Sequence, residues 1–245
     1  TGKLKLYENL SKKNLKNYIS MNKFKNIWGI GPKFAKEIVE KKIYSIANLK
    51  KAIKEDKIKL SPQQKIGLKY YNNLKKKLKR EDIEEYTVFL KKIFNDLPLK
   101  IWNAGSYRSG KNSIGDLDII VTSYDKNISD IFYNKLVKEK IIYDILLTGK
   151  NKNIYIIKLP YKSNYIKIDV VFIEENILPW YLLYFGSSKE FSKKIRLIAS
   201  KLGYKLNEKG LFNKISGKRI DFNPKNEEEI FEYLKIPFVK PKNRI

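Results

Sequence analysis

The spacing of apolar residues changes character near Leu97 and returns to its first form after Ile173. Before Leu97, PKFAKEIVEKK, PQQKIGLKYYNNLKKKL and REDIEEYTVFLKKIF carry apolar residues at i, i+3 and i+4, which predicts amphipathic helices. Pro32 and Pro62 stand in the opening turns of two of these, where a missing N–H costs nothing. After Leu97, LKIWNAG, DLDIIVT, YDILLT, NIYIIKLP and YIKIDVVFI are short, β-branched and bounded by Gly, Asn, Ser or Lys, the mark of strands. One helix, ISDIFYNKLVKEK, interrupts them. Beyond Ile173, ILPWYLLYF, KEFSKKIRLIASKLG and NEEEIFEYLK again predict helices, with a small strand pair between Tyr204 and Phe212. The pattern describes an α+β protein with a helical module, a β-rich middle and a mixed end, without internal repeats.

Charge sharpens this picture. Against 26 acidic residues stand 52 Lys and Arg, a net +26. Such an excess points to a polyanionic partner, nucleic acid first and an anionic membrane surface second. A proteome rich in Lys, Asn and Ile would leave the same basic surface. The 42% hydrophobic content argues for a folded chain rather than a disordered one. With no Cys and no His, disulfides, thiolate metal sites and the usual general base are excluded. Catalysis would have to run on carboxylates, Lys, Arg, Tyr, Ser and added metal ions. No apolar run approaches the roughly 20 residues that span a bilayer, and TGKLKLYENL does not read as a signal peptide. The expectation is a soluble, intracellular protein.

The chemistry concentrates in AGSYRSGKNSIGDLDIIVT, residues 104–122. Asp is depleted in strands, yet Asp116 and Asp118 flank Leu117 in an apolar run. Strand alternation would set them on one face about 7 Å apart. Asp169, in YIKIDVVFI, also interrupts an apolar strand. If the two strands are neighbours, three carboxylates converge and can hold two Mg²⁺ for an in-line displacement at phosphorus. Taken alone, Asp116 could equally be a turn residue and the others exposed edge positions. The preceding Gly105 and Ser106 open a helix-like segment whose N–H groups suit a triphosphate. In IWGIGPKFAKEI, Gly29 and Gly31 before a helix carrying Lys33 and Lys36 would let backbone approach a phosphate closely. An isolated GxGP is also compatible with an ordinary tight turn.

G-S followed about ten residues later by G-D-x-D resembles the signature of the nucleotidyltransferase superfamily, and GIGPKFAKEI resembles a helix-hairpin-helix. In their order, and with LSPQQKIGLKYYNNLKKKLKRED, KID, LLYFGSSKEFSKKIR, KLNEKGLF and EEEIFEYLKIPFVKPKNR, the whole chain resembles the X family of DNA polymerases. The resemblance implies a helical DNA-binding subdomain over 23–97, a palm with a mixed sheet over 98–175, and an α/β nucleotide-selecting subdomain over 176–245. Residues 1–22 would be the end of an amino-terminal lyase domain and its linker, leaving the lyase lysine outside this chain.

By the same resemblance, Asp116, Asp118 and Asp169 would be ligands of two Mg²⁺ or Mn²⁺, with Asp169 accepting the proton of the primer 3′-hydroxyl. Arg80, Gly105, Ser106 and Gly115 would contact the triphosphate, and Tyr184 and Phe185 the sugar. Gly29, Gly31, Lys33, Lys167 and Arg196 would contact DNA. The backbone carbonyls of Lys25, Ile27 and Ile30 would hold Na⁺ or K⁺. Core packing is the alternative role for Tyr184 and Phe185, surface charge that for Arg80 and Arg196. The chain departs from the family at Ser109, where a second triphosphate-binding Arg is usual, and Lys111 or Arg108 is expected to replace it in part. It departs also at Ile114, at Gly186 within YFGSS, and at Ser192, usually an Asn reading the incoming base. The implied activity is template-directed addition of dNTPs to a primer in gapped or recessed duplex DNA, filling gaps in base excision repair. The protein would be a monomer in the nucleus, or in a cytoplasmic viral factory or virion. A template-independent terminal transferase and a non-catalytic DNA-binding scaffold are the alternatives. The short LPYKSNYIKID connection argues against the first, the three retained carboxylates against the second.

Overall fold

The computed structural model describes residues 12–244, and TGKLKLYENL, the expected end of a lyase domain, lies outside the described residues. Two compact units meet in sequence between Lys75 and Lys76.

The first unit is helical. Its helices are α1 (Lys12–Lys25), α2 (Pro32–Glu40), α3 (Ile46–Lys54), α4 (Pro62–Lys69) and α5 (Tyr71–Lys75). Residues 12–22 of the expected linker form the body of α1. Ser45 caps α3 by accepting the Asn48 N–H, and Ser61 with Gln64 makes a reciprocal capping box at α4. The apolar faces of these short helices meet in one core that contains Phe24, Ile27, Ile38 and Leu49. Gly67 allows α4 to lie directly on the Trp28 backbone, where any Cβ would overlap the carbonyl.

The second unit is built on a five-stranded sheet in the order β1-β2-β5-β4-β3. Its strands are β1 (Lys100–Asn103), β2 (Leu117–Thr122), β3 (Ile142–Leu147), β4 (Lys152–Ile157) and β5 (Ile166–Ile173). β2 and β5 run parallel and the other pairs antiparallel. Helices α6 (Arg80–Ile93) and α8 (Ile128–Lys138) cover one face through Ile83, Tyr86, Leu90, Phe132 and Leu136. The periodicity of α6 grouped it with the helical module. Its apolar stripe instead completes the core of this sheet.

The other face of the sheet, at Ile120, Val171 and Ile173, packs on α9 (Leu178–Phe185) through Leu178, Tyr181 and Leu182. The far side of α9 joins α10 (Lys189–Lys201), the hairpin β6 (Tyr204–Asn207) and β7 (Gly210–Asn213), and α11 (Glu227–Tyr233) in a second core around Trp180, Ile195 and Phe231. A short helix, α7 (Gly105–Arg108), follows β1 directly.

Phe132 is fully buried, stacked on Phe94 at 4.4 Å and edge-on to Phe172 at 5.5 Å. Phe132→Ala is expected to cost about 3–5 kcal/mol in urea unfolding of the sheet unit. Tyr124→Ala, at a side chain 76% exposed, should stay within about 0.5 kcal/mol.

Candidate active site

Asp118 is the second residue of β2, and its register partner across the parallel pair is Asp169 of β5. Neighbouring residues in adjacent strands share a face, so both carboxylates emerge together. Asp116 does not belong to the strand; it sits in the bend that precedes β2. That bend overturns the expected spacing of two carboxylates along one strand. It turns Asp116 inward, so that carboxylate oxygens of all three residues lie within 4.8 Å of one another.

Three acids this close repel. Burial first, then the charges of Asp116 and Asp169, push the Asp118 carboxyl up to about 7. Two ammonium groups offset the rest. Lys167 bridges Asp116, at 2.7 Å, and Asp169, while Lys152 lies 3.2 Å from Asp169. Burial draws the Lys167 ammonium down, but Asp169 and Asp116 outweigh it and hold it above its usual value. The group is an all-oxygen donor set that already attracts cations, and it fits hard divalent ions.

Gly105, with φ of +53°, packs directly against Asp118, and a Cβ there would overlap the carboxylate. The Ala104 N–H donates to the Asp118 carbonyl at 2.9 Å, so the Gly-Ser turn and the carboxylate strand are one hydrogen-bonded piece. Ser109 is buried and its hydroxyl donates to the Ser106 carbonyl. Arg108, one of its two expected substitutes, is committed elsewhere: it pairs with Glu227, which also binds the fully buried Arg244. Lys111 is exposed, and its backbone closes the loop with an N–H bond to the Ser106 carbonyl.

Arg80 stacks on the Tyr107 ring at 4.1 Å and donates to the carbonyls of Tyr107 and Lys111, buttressing the loop from outside. A different cation reaches Gly115. Backbone bonds between Leu78 and Ile114, of 2.8 and 3.0 Å, pin residues 77–79 alongside that glycine. The Lys77 ammonium lies 3.5 Å from where a Gly115 Cβ would stand. Periodicity could not single out Lys77 within KKKLK, nor Lys152, because both depend on contacts distant in sequence.

Tyr184 and Phe185 end α9, their rings 5.0 Å apart, and Phe185 stacks on Tyr181. Gly186 caps that helix where any Cβ would strike Arg108. Ser192 and Arg196 lie one turn apart on α10, the Arg196 Nε donating to the Ser192 carbonyl.

In the helical unit, Gly29 takes φ of +84° and Gly31 caps α2, with open space around it. The Ile27 carbonyl accepts the Ile30 N–H in the turn between them, and Lys25 and Lys33 are exposed.

Comparison with known proteins agrees with this arrangement. The family described as the fingers domain of DNA polymerase lambda matches residues 22–75, the DNA polymerase beta palm matches 77–175, and the DNA polymerase beta thumb matches 181–245. DNA polymerase lambda of Arabidopsis thaliana is 29% identical over all of this chain and 49% of its own length. The Xenopus laevis DNA nucleotidylexotransferase is 24% identical over 98% of this chain and 55% of its own. The chain thus spans about half the length of the curated relatives it matches. Among solved structures, Leishmania infantum polymerase beta in a ternary P/T complex superposes with a TM-score of 0.84 at 22% identity. That match covers 94% of this chain and 99% of the other.

The crowding of charge predicts a pH signature. Asp118 holds its proton more tightly when folded than at its ordinary value of 3.8. In chelator, stability should therefore fall as pH rises from about 4 to about 7. Asp118→Asn removes this cost, and its gain in Tm should be larger at pH 8 than at pH 5. An equal gain at both would contradict the assignment.

Proposed function

This chain belongs to the X family of DNA polymerases, and on that premise we propose that it adds deoxynucleotides to a primer 3′-end under template direction in DNA repair. The observation that carries the reading is the register pairing of Asp118 with Asp169, with Asp116 folded in beside them and Gly105 packed beneath. Asp116, Asp118 and Asp169 would hold two Mg²⁺ or Mn²⁺, whose bound charge would stabilise the attacking and leaving oxygens of an in-line displacement.

The residues of the chain supply the rest. Asp169 accepts the proton of the primer 3′-hydroxyl as that oxygen attacks the α-phosphorus, and pyrophosphate leaves. Backbone N–H groups at Gly105, Ser106 and Gly115, with the Ser106 hydroxyl, receive the triphosphate. Lys77 supplies positive charge beside Gly115, and Lys111 supplies part of what an Arg at position 109 would. Arg80 supports that loop. Tyr184 and Phe185 pack on the sugar, where a 2′-hydroxyl would clash, Ser192 faces the base, and Arg196 reaches the template. Lys167 has to exchange Asp116 and Asp169 for the primer end when cations enter.

In the helical unit, N–H groups at Gly29 and Gly31 with Lys33 grip a strand phosphate without reading sequence. The carbonyls of Lys25, Ile27 and Ile30 bind Na⁺ or K⁺ beside it. The partners are gapped or recessed duplex DNA and a dNTP, for a monomer working in base excision repair in the nucleus. Among the described residues, no helix is long and apolar enough to cross a membrane.

Template dependence rests on the β4–β5 connection. It is residues 158–165 alone, too short for the insertion that replaces the template in terminal transferases.

Primer extension with Mg²⁺ and four dNTPs tests the reading, on a one-nucleotide-gapped duplex and on single-stranded primer. Only the template-matched nucleotide should be added, and Asp169→Ala should abolish the addition. Equal extension of the single strand would move the activity to terminal transfer. DNA binding without extension would leave a scaffold.

A further inference from the structure

At the β1 edge of the sheet lies a cavity of about 430 Å³ lined by Arg80, Trp102, Asn103, Tyr107, Arg108, Lys240, Pro241 and Lys242. Four of these side chains are cationic and none is acidic. Neither the three carboxylates nor Ser106 nor Gly115 lines it, so it is separate from the proposed triphosphate cradle.

The walls are fixed. Arg80 is clamped on the Tyr107 ring, and both its bonds to carbonyls use Nη1. Trp102 is anchored through its Nε1–H, which donates to the Thr122 hydroxyl at 3.2 Å. Lys240 and Lys242 flank Pro241 in an ordered 3₁₀ turn, residues Pro241–Asn243. That turn is held by the buried Arg244, whose carbonyl accepts the Ser188 N–H at 2.9 Å. Lys242 is seated on Gly110, where a Cβ would come within 3.0 Å of its own Cβ.

Arg108 spends Nη2 on Glu227, and its Nε is buried beside Gly186 without a hydrogen-bond partner. Glu227 is shared with Arg244, so these three residues keep a net positive charge. Neither Lys240 nor Lys242 has an ion-pair partner among the described residues.

We propose that this cavity is a second phosphate-binding site, in which Lys240 and Lys242 grip a phosphate, Arg80 and Arg108 add fixed positive charge to its lining, and Trp102 and Tyr107 wall it. The phosphate chemistry is common to a free diphosphate and to the backbone of a DNA strand. Guanidinium and ammonium donors around an anion form the stronger, charge-assisted class of hydrogen bond. Neither the cavity nor its ligand depends on the chain being a polymerase.

The probes are inorganic pyrophosphate and an oligothymidylate, each titrated in chelator against tryptophan fluorescence. Trp102 lines the cavity, whereas Trp180 is buried in another core and Trp28 belongs to the helical unit. A saturable change should disappear in Trp102→Phe. Its dissociation constant should rise about tenfold or more in the Lys240→Ala, Lys242→Ala double variant and recover when both are Arg. Both lysines are exposed, so the variants should fold. Lysine-dependent binding of pyrophosphate identifies a free-diphosphate site. The same dependence with the oligonucleotide alone identifies a strand phosphate. Binding of both probes unaltered by the double variant, or no Trp102 signal with either, overturns the proposal.

Discussion

Parallel pairing of β2 with β5 sets Asp118 beside Asp169, and the like charge gathered there is the constraint that the neighbouring structure answers. Carboxylates so placed repel and lose hydration, which burial makes worse. Lys167 and Lys152 lie across the group, and Gly105 yields its side chain so that Asp118 can fit at all. A chain selected for stability alone would have placed Val or Ile at these positions. The cost is intelligible if the site is meant for cations that arrive with substrate.

Rigidity follows from how the sheet is covered. One face carries α6 and α8, and the other carries α9, so the strands bearing the carboxylates are packed on both sides. The mixed end of the chain is tied to the loop after β1 by Arg108, Glu227 and Arg244. Burying the Arg244 guanidinium and the Glu227 carboxylate is tolerable because they pair with each other, with the half-buried Arg108 on the second carboxylate oxygen. The same tie orients the turn that carries Lys240 and Lys242, so the second cationic cavity shares its support with the loop after β1.

Much of this was legible in the sequence. Short β-branched runs bounded by Gly, Asn, Ser or Lys marked the strands of the sheet, and Asp118 and Asp169 inside apolar strands, read together with Gly105 and Ser106, marked the site. The geometry of Asp116 was not legible. The pattern starts the strand DLDIIVT at Asp116, whereas a bend before Leu117 brings the carboxylate inward. The fate of α6 was likewise hidden, since an amphipathic stripe states that a face is buried and not what buries it. Lys77, Lys152 and Lys242 were invisible among 52 basic residues, as their roles come from contacts remote in sequence. Arg108 was one of two expected substitutes for the Arg missing at position 109, but Glu227, far along the chain, pairs with it.

The most direct test is a crystal structure with gapped DNA, a non-hydrolysable deoxynucleotide and Mn²⁺, read by anomalous scattering. The account predicts two Mn²⁺ peaks between Asp116, Asp118 and Asp169, with Lys152 and Lys167 withdrawn from the carboxylates. Bound DNA and nucleotide with both lysines still paired to the acids, and no metal between them, would contradict it.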